Sequence, residues 1–224
     1  MSKLVLIDFD GVVLRNEISN QYLSDRAKSY VSYKTNIRNV SHFANDLYVT
    51  HGHTHIGLDR HKYASSLREF NSYMYGDENL YAHLQMSFYE QKKWLEFKQS
   101  LDTNNIDIKF FSNSPSKWLE HFIKYNISDI FDFSKHIEKF SINDKMYNLM
   151  LKPQPLVYNI ADIKYGEIYS EIFFIDDKLA NLHAAADTNW IKILFDASCE
   201  FEKVDEHFYY ANSLTAISER IINI

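Results

Sequence analysis

The sequence predicts an α/β protein: a three-layer α/β/α Rossmann-like core on a parallel sheet, with an inserted α-helical cap. Three observations predict it. Short apolar runs ending in small or acidic residues recur at Leu4–Ile7, Ile108–Phe111, Ile172–Ile175 and Trp190–Phe195, the pattern of strands buried on both faces. Helical patterns separate these runs in the second half of the chain, and strand–helix–strand alternation points to a parallel sheet covered by helices. The stretch from Asn16 to Met86 has no convincing buried strand and reads as helices throughout.

In chain order, Leu4–Ile7 opens the core and ends at Asp8-Phe9-Asp10-Gly11. Helices are then expected over Asn20–Tyr33, Val40–Tyr48 and His61–Met74. Ile108–Phe111 returns the chain to the sheet and ends at Ser112-Asn113. A helix over Pro115–Tyr125 follows, with Ser114 placed to cap it and Pro115 in its first turn. Further helices are expected over Leu156–Ile163 and Leu179–Ala186. Ser213–Ile224 closes the chain as a helix with Leu214, Ile217, Ile221 and Ile222 on one side. The expected domains are therefore a discontinuous core, 1–16 and 87–224, and a cap, 17–86.

Composition bounds the function. The 224 residues suit one core domain with a smaller insert. A net charge of −6 supplies no basic field for a nucleic-acid polymer. The single cysteine, Cys199, forms no internal disulfide and leaves no cysteine-paired zinc site. No apolar stretch is long enough to span a membrane. These features lead us to expect a soluble cytoplasmic protein whose partner is a small molecule.

The polar residues at the strand ends carry the chemistry, because ligands of parallel sheets bind beyond the carboxyl ends of the strands. Asp8 and Asp10 are separated by one residue, so in an extended chain they face one way. Two such close anions repel unless a cation lies between them or one holds a proton, and a hard, oxygen-preferring cation such as Mg2+ fits. Alone, the pair can also be read as the solvated end of a strand, the less favoured of the two readings. Asp176-Asp177 closes another apolar run and offers a second acidic pair, or else a helix cap. Asn181, a turn further on, is either a carboxylate partner or a polar helix residue. Ser112 and Asn113 precede a helix start suited to an anion, or equally to an ordinary cap. Lys152, before Pro153, supplies a cation for phosphate or is a solvated side chain.

Taken together and in this order, Asp8-Phe9-Asp10-Gly11-Val12, Ser112, Lys152 and Asp176-Asp177 resemble the haloacid dehalogenase-like superfamily. The resemblance implies a two-step phosphoryl transfer. Asp8 would be the nucleophile, and Asp10 the acid that protonates the leaving oxygen and then the base for water. Asp8, the Asp10 main-chain carbonyl, Asp176 and Asp177 would hold Mg2+, with Asp177 acting through water or orienting Lys152. Ser112, Asn113 and Lys152 would hold the phosphate. In the dehalogenases proper the residue equivalent to Asp10 is not an acid, so Asp10 favours phosphate esters over carbon–halogen bonds.

Within the cap, Tyr48, Gly52-His53-Thr54 and Gly57-Leu58 resemble the pyrimidine 5′-nucleotidase branch, as does Lys152-Pro153-Gln154-Pro155 with Tyr158 downstream. This makes a nucleoside 5′-monophosphate the leading substrate. Gly11-Val12, where that branch carries Asn-Thr, instead resembles sugar-phosphate phosphatases and phosphomutases. A catalytically silent phosphate-binding protein is the alternative of another class. His51, His53 and His55 alternate and would face one way in a strand, but a loop or substrate-facing role fits them better than a metal site.

Overall fold

The computed structural model describes residues 2–82, 84–136, 150–196, 202–203 and 206–224, so Cys199 lies outside the described residues. Six strands form one sheet: β1 (Lys3–Ile7), β2 (Ile106–Phe110), β3 (Glu171–Asp176), β4 (Ile191–Phe195), β5 (Glu202–Lys203) and β6 (Phe208–Ala211). The order is β2-β1-β3-β4-β6-β5, parallel throughout except for the antiparallel edge strand β5. The chain is an α/β protein with a parallel sheet, as expected. Among the described residues it divides into two compact units. The first takes the chain up to Arg15 and resumes at Gln85 and again at Tyr158; the second takes Asn16–Leu84 and residues 150–157.

In the first unit β1 is central, and Leu4 through Ile7 are fully buried because paired strands flank them on both sides. The helices of this unit begin with α6 (Phe88–Thr103), once α1 to α5 of the second unit are counted. A reciprocal capping box between Ser87 and Glu90 starts α6, which buries Trp94, Phe97 and Leu101. After β2 come α7 (Ser116–Phe122), a single π-turn over Ile123–Ile127, and α8 (Phe133–His136). Helix α9 (Pro155–Gly166) precedes β3, α10 (Leu179–Ala184) follows it, and α11 (Leu214–Asn223) closes the chain behind the Ser213 cap. Helix α10 packs on β3 and β4, and α11 packs on α6 and β6.

Register is what positions the site. Ile7 lies opposite both Phe110 and Ile175. The ladder runs one step further, with Phe111 N–H donating to the Ile7 carbonyl at 2.7 Å and Asp8 N–H to the Ile175 carbonyl at 2.8 Å. Asp8 and Asp176 therefore leave neighbouring strands at the same level. Because β1 sends the chain to β2 on one side and lies beside β3 on the other, strand order reverses here, where open α/β sheets bind ligands.

The second unit is helical: α1 (Glu17–Thr35), α2 (Ser41–His51), α3 (Thr54–Arg60), α4 (Leu67–Tyr75) and α5 (Glu78–Ala82). The single helix expected over His61–Met74 is corrected: α3 stops at Arg60, Lys62 takes a positive φ of 63°, and Ser66 caps a new helix at Leu67. The three alternating histidines form no strand. His51 ends α2, Gly52 turns the chain at φ 72°, His53 caps α3 and His55 lies buried inside it. The core of this unit joins Tyr30, Leu47, Ile56, Leu58 and Phe70 to Leu151. That contact explains why residues 150–157, expected with the core, group with the helices. The close approach of Gly52 to the Pro153 ring, where a Cβ would collide, fixes the same segment.

If Leu151 is a keystone of this unit, Leu151→Ala should cost about 2–5 kcal/mol of local stability. Hydrogen exchange should then quicken in α2 and α3 while β1 amides keep their protection. Unchanged exchange in both helices would contradict the packing assignment.

Candidate active site

Three carboxylates meet at the carboxyl ends of β1 and β3. Oxygens of Asp8, Asp176 and Asp177 all lie within 4.8 Å of one another. Asp8 is 5% exposed and Asp176 fully buried, so little water screens their repulsion. Each is held in place. Asp8 accepts from the Phe9 N–H at 2.8 Å. Asp176 accepts from the Lys178 N–H at 2.9 Å, and both its oxygens accept from the Asn181 amide at 2.9 Å. Asn181 is thus a carboxylate partner, set by one turn of α10. Gly11, at φ 93°, has Asp177 so close that a Cβ would collide with its carboxylate. Only glycine fits there, both in backbone conformation and in space.

The donor set fits a hard divalent cation. Three anionic oxygen donors converge, with no soft sulfur or imidazole among them. No other group of three or more His, Cys, Asp or Glu among the described residues converges in this way, and His51, His53 and His55 make none.

Asp10 stands apart from the cluster. Past Ile7 the chain does not stay extended: the Val13 and Leu14 N–H groups both donate back to the Phe9 carbonyl at 2.9 Å, and Gly11 N–H donates to the Leu14 carbonyl at 2.9 Å. In this tight loop strand alternation no longer applies, and the Asp10 carboxyl turns to α7. Its Oδ1 accepts from Trp118 Nε1 at 2.9 Å, and its Oδ2 accepts from the Ser114 hydroxyl. Burial raises the Asp10 pKa from its ordinary value, and the Asp8 charge adds to the rise. The hydrogen bonds from Ser114 and Trp118 and the charge of Lys178 pull the other way. The net direction is up, which lengthens the pH range over which the group keeps a proton.

Ser114, expected to cap α7, does not; that helix begins at Pro115 without a side-chain cap, and the Ser114 hydroxyl serves Asp10 instead. Ser112 is half-buried beside it, its hydroxyl accepting from the Ser114 N–H at 3.1 Å. Asn113, between them, is also half-buried. Lys152 is 2% exposed and belongs by its contacts to the helical unit. Tyr158 packs edge-on against Phe111 and Phe174, with its buried hydroxyl lacking a hydrogen-bond partner among the described residues. Burial, with the charges of Asp176 and Asp8, pushes that hydroxyl's pKa up, so it remains a neutral donor. A cavity of about 810 Å3 in the helical unit is lined by residues such as Arg26, Glu69, Tyr73 and Asp77, and by none of the candidate site residues.

Sequence reasoning missed Ser114 and Trp118 as partners of Asp10. Both carry an ordinary explanation, a serine before a helix and an aromatic in a core, and only their four-residue spacing beside the Ser112 strand end marked them as a pair.

Solved structures of haloacid dehalogenase-like hydrolases share this fold. No protein-family model matches the chain, and no curated protein matches its sequence. A family IA, variant 3 hydrolase of this class from Entamoeba histolytica superposes with a TM-score of 0.59 at 15% identity, covering 100% of both chains. A phosphatase of this class from Thermococcus onnurineus gives 0.58 at 13% identity over 98% of this chain and 97% of that one. The L-2-haloacid dehalogenase of Xanthobacter autotrophicus, with chloropropionic acid covalently bound, gives 0.58 at 10% identity over 99% and 98%. The fold therefore accompanies both phosphatase and dehalogenase chemistry.

Asn181→Ala should free the Asp176 carboxylate and weaken divalent-cation binding by about 10–100-fold, since orienting partners of ligands carry effects of that size. Calorimetry with Mg2+ reads it directly. Unaltered affinity would show that Asn181 does not orient a ligand.

Proposed function

We propose that the chain is a Mg2+-dependent phosphohydrolase of the haloacid dehalogenase-like superfamily, working through an aspartyl-phosphate on Asp8. The observation that carries this reading is the division of labour among four carboxyls. Asp8, Asp176 and Asp177 converge, while Asp10 is held by other partners with a raised pKa. A dehalogenase needs no proton for a departing halide, whereas an alkoxide leaving group does. A nearby carboxyl whose pKa is raised therefore favours phosphate esters.

In the proposed reaction Asp8 attacks phosphorus in line with the ester oxygen. Asp10 gives its proton to that oxygen as the bond breaks. Asp10, now a carboxylate, takes a proton from the water that hydrolyses the aspartyl-phosphate, restoring both residues. Asp8, Asp176, Asp177 and the Asp10 main-chain carbonyl would hold Mg2+, which would supply electrostatic stabilisation of the phosphoryl oxygens. Ser112, Asn113 and Lys152 supply donors and charge for the same oxygens.

In the same reading, residues 17–86 form the substrate-selecting cap and residues 1–16 and 87–224 the catalytic core. The substrate is a small phosphorylated metabolite. Tyr48, Gly52, Thr54, Gly57 and Leu58 support a nucleoside 5′-monophosphate, through their likeness to the pyrimidine 5′-nucleotidase branch. The reading includes a cytoplasmic location, which suits a single-cysteine chain with no helix among the described residues able to cross a membrane.

Purified protein with Mg2+ should release phosphate from nucleoside monophosphates, UMP or CMP best, in a panel that includes sugar phosphates. Asp8→Asn should lower turnover at least about a thousandfold, as loss of a nucleophile does, and chelation should abolish activity that Mg2+ restores. A sugar phosphate as the best substrate would overturn the nucleotide assignment alone. No release from any ester would overturn the enzyme reading.

A further inference from the structure

The two oxygens of Asp10 meet chemically different partners. Trp118 Nε1 lies 2.9 Å from Oδ1, and an indole N–H only donates. Oδ1 must therefore present a lone pair to it in every protonation state. The Ser114 hydroxyl meets Oδ2, and a hydroxyl both donates and accepts. It stays bonded to Oδ2 whether or not that oxygen carries a proton.

Both partners are anchored. Trp118 is fully buried, and its backbone N–H closes the first turn of α7 onto the Pro115 carbonyl at 2.9 Å. The Ser114 N–H is tied to Ser112 Oγ at 3.1 Å. The terminal torsion of an aspartate is broad and roughly two-fold, so without these contacts the carboxyl would exchange its oxygens. With them, the exchange is blocked.

We propose that Trp118 and Ser114 are positioning residues for proton transfer by Asp10: Trp118 reserves Oδ1 as an acceptor, so Oδ2 is the oxygen that trades the proton, and Ser114 holds Oδ2 through its remaining lone pair. This rests on the phosphatase reading, in which Asp10 is the acid and base. In the first half-reaction the Oδ2–H bond breaks as an O–H bond forms on the leaving oxygen, which also takes the electrons of the broken P–O bond. The Ser114 hydroxyl donates to the other lone pair of Oδ2 before and after, which leaves the Oδ2–H directed at the leaving oxygen. In the second half-reaction water gives a proton to Oδ2 as its oxygen bonds to phosphorus, and the Asp8 O–P bond breaks with its electrons returning to the Asp8 carboxylate, while the Ser114 bond to Oδ2 is kept. The Trp118 bond persists throughout.

The test compares two esters. Para-nitrophenyl phosphate has a leaving group that departs without a proton, while an alkyl ester, the best nucleoside monophosphate or glycerol phosphate, needs one. Trp118→Phe removes the N–H and keeps an aromatic ring; Ser114→Ala removes the hydroxyl. First-turnover rates from rapid quench, with KM read separately, isolate the step in which the leaving group departs. Each variant should slow the alkyl ester about tenfold or more, as misplacement of a proton donor does. The aryl ester should slow several times less, and KM should change by less than about threefold. Equal slowing of both esters, or no slowing of either, in variants with native circular dichroism would overturn the inference. Should Trp118→Phe fail to fold, Ser114→Ala decides it alone. A wild-type protein that turns over neither ester removes the phosphatase reading itself, a result distinct from either variant outcome.

Discussion

The rest of this structure depends on keeping three carboxylates together against their own repulsion. With oxygens within 4.8 Å of one another, each ionised pair repels by roughly 3 kcal/mol at an effective dielectric near 20. A fold tolerates that only where the backbone leaves the side chains nowhere else to go. Parallel pairing provides the restraint: β1 and β3 are neighbours in fixed register, so Asp8 and Asp176 emerge side by side. The ladder bond from the Asp8 N–H to Ile175 locks the level. Asn181 then holds Asp176, and the absence of a side chain at Gly11 admits Asp177. Such a cluster is stable with a cation among the oxygens, and the hard donor set matches Mg2+ chemistry.

The turn at Gly11 has a second effect. By ending the strand after Ile7, it separates Asp10 from the acids and delivers it to a donor-only indole and a two-way hydroxyl. Four carboxyls thus fall into two electrostatic settings within a few residues. One group converges at the strand ends; the other, half-buried, has its pKa raised by desolvation. Pairs of titratable groups pushed apart by environment are the usual physical basis for assigning acid and nucleophile. Likeness of fold to a phosphatase and to a dehalogenase does not choose a chemistry, and the setting of Asp10 is what the proposed phosphatase reading rests on.

Much of this was legible in the sequence because buried parallel strands are written as continuous apolar runs. Leu4–Ile7 and Ile172–Ile175 could be read within a residue of their ends, and the acids following them marked the site. Strand β6 was not legible: its Phe208-Tyr209-Tyr210-Ala211 alternates buried and half-buried residues in a large aromatic background. Helix α6 hides its buried Trp94, Phe97 and Leu101 among charged neighbours. The break between α3 and α4 rests on the positive φ of Lys62 and the Ser66 cap, which periodicity does not register. At the site, local rules succeeded for Asn181, one helical turn from Asp176. They failed for Ser114, whose partner Asp10 lies 104 residues away in the chain and whose neighbour Pro115 suggested a cap. Long-range polar pairs leave no periodic trace.

The measurement that bears most directly on the central claim is chemical trapping of the covalent intermediate. Protein mixed with a turned-over phosphate ester and Mg2+ is quenched in acid, reduced with borohydride and mapped by peptide mass spectrometry. The account predicts phosphorylation at Asp8 in the quenched protein and reduction of that residue to homoserine after borohydride. Modification at Asp10, Asp176 or Asp177 instead, or none at any acid while phosphate is still released, would contradict it.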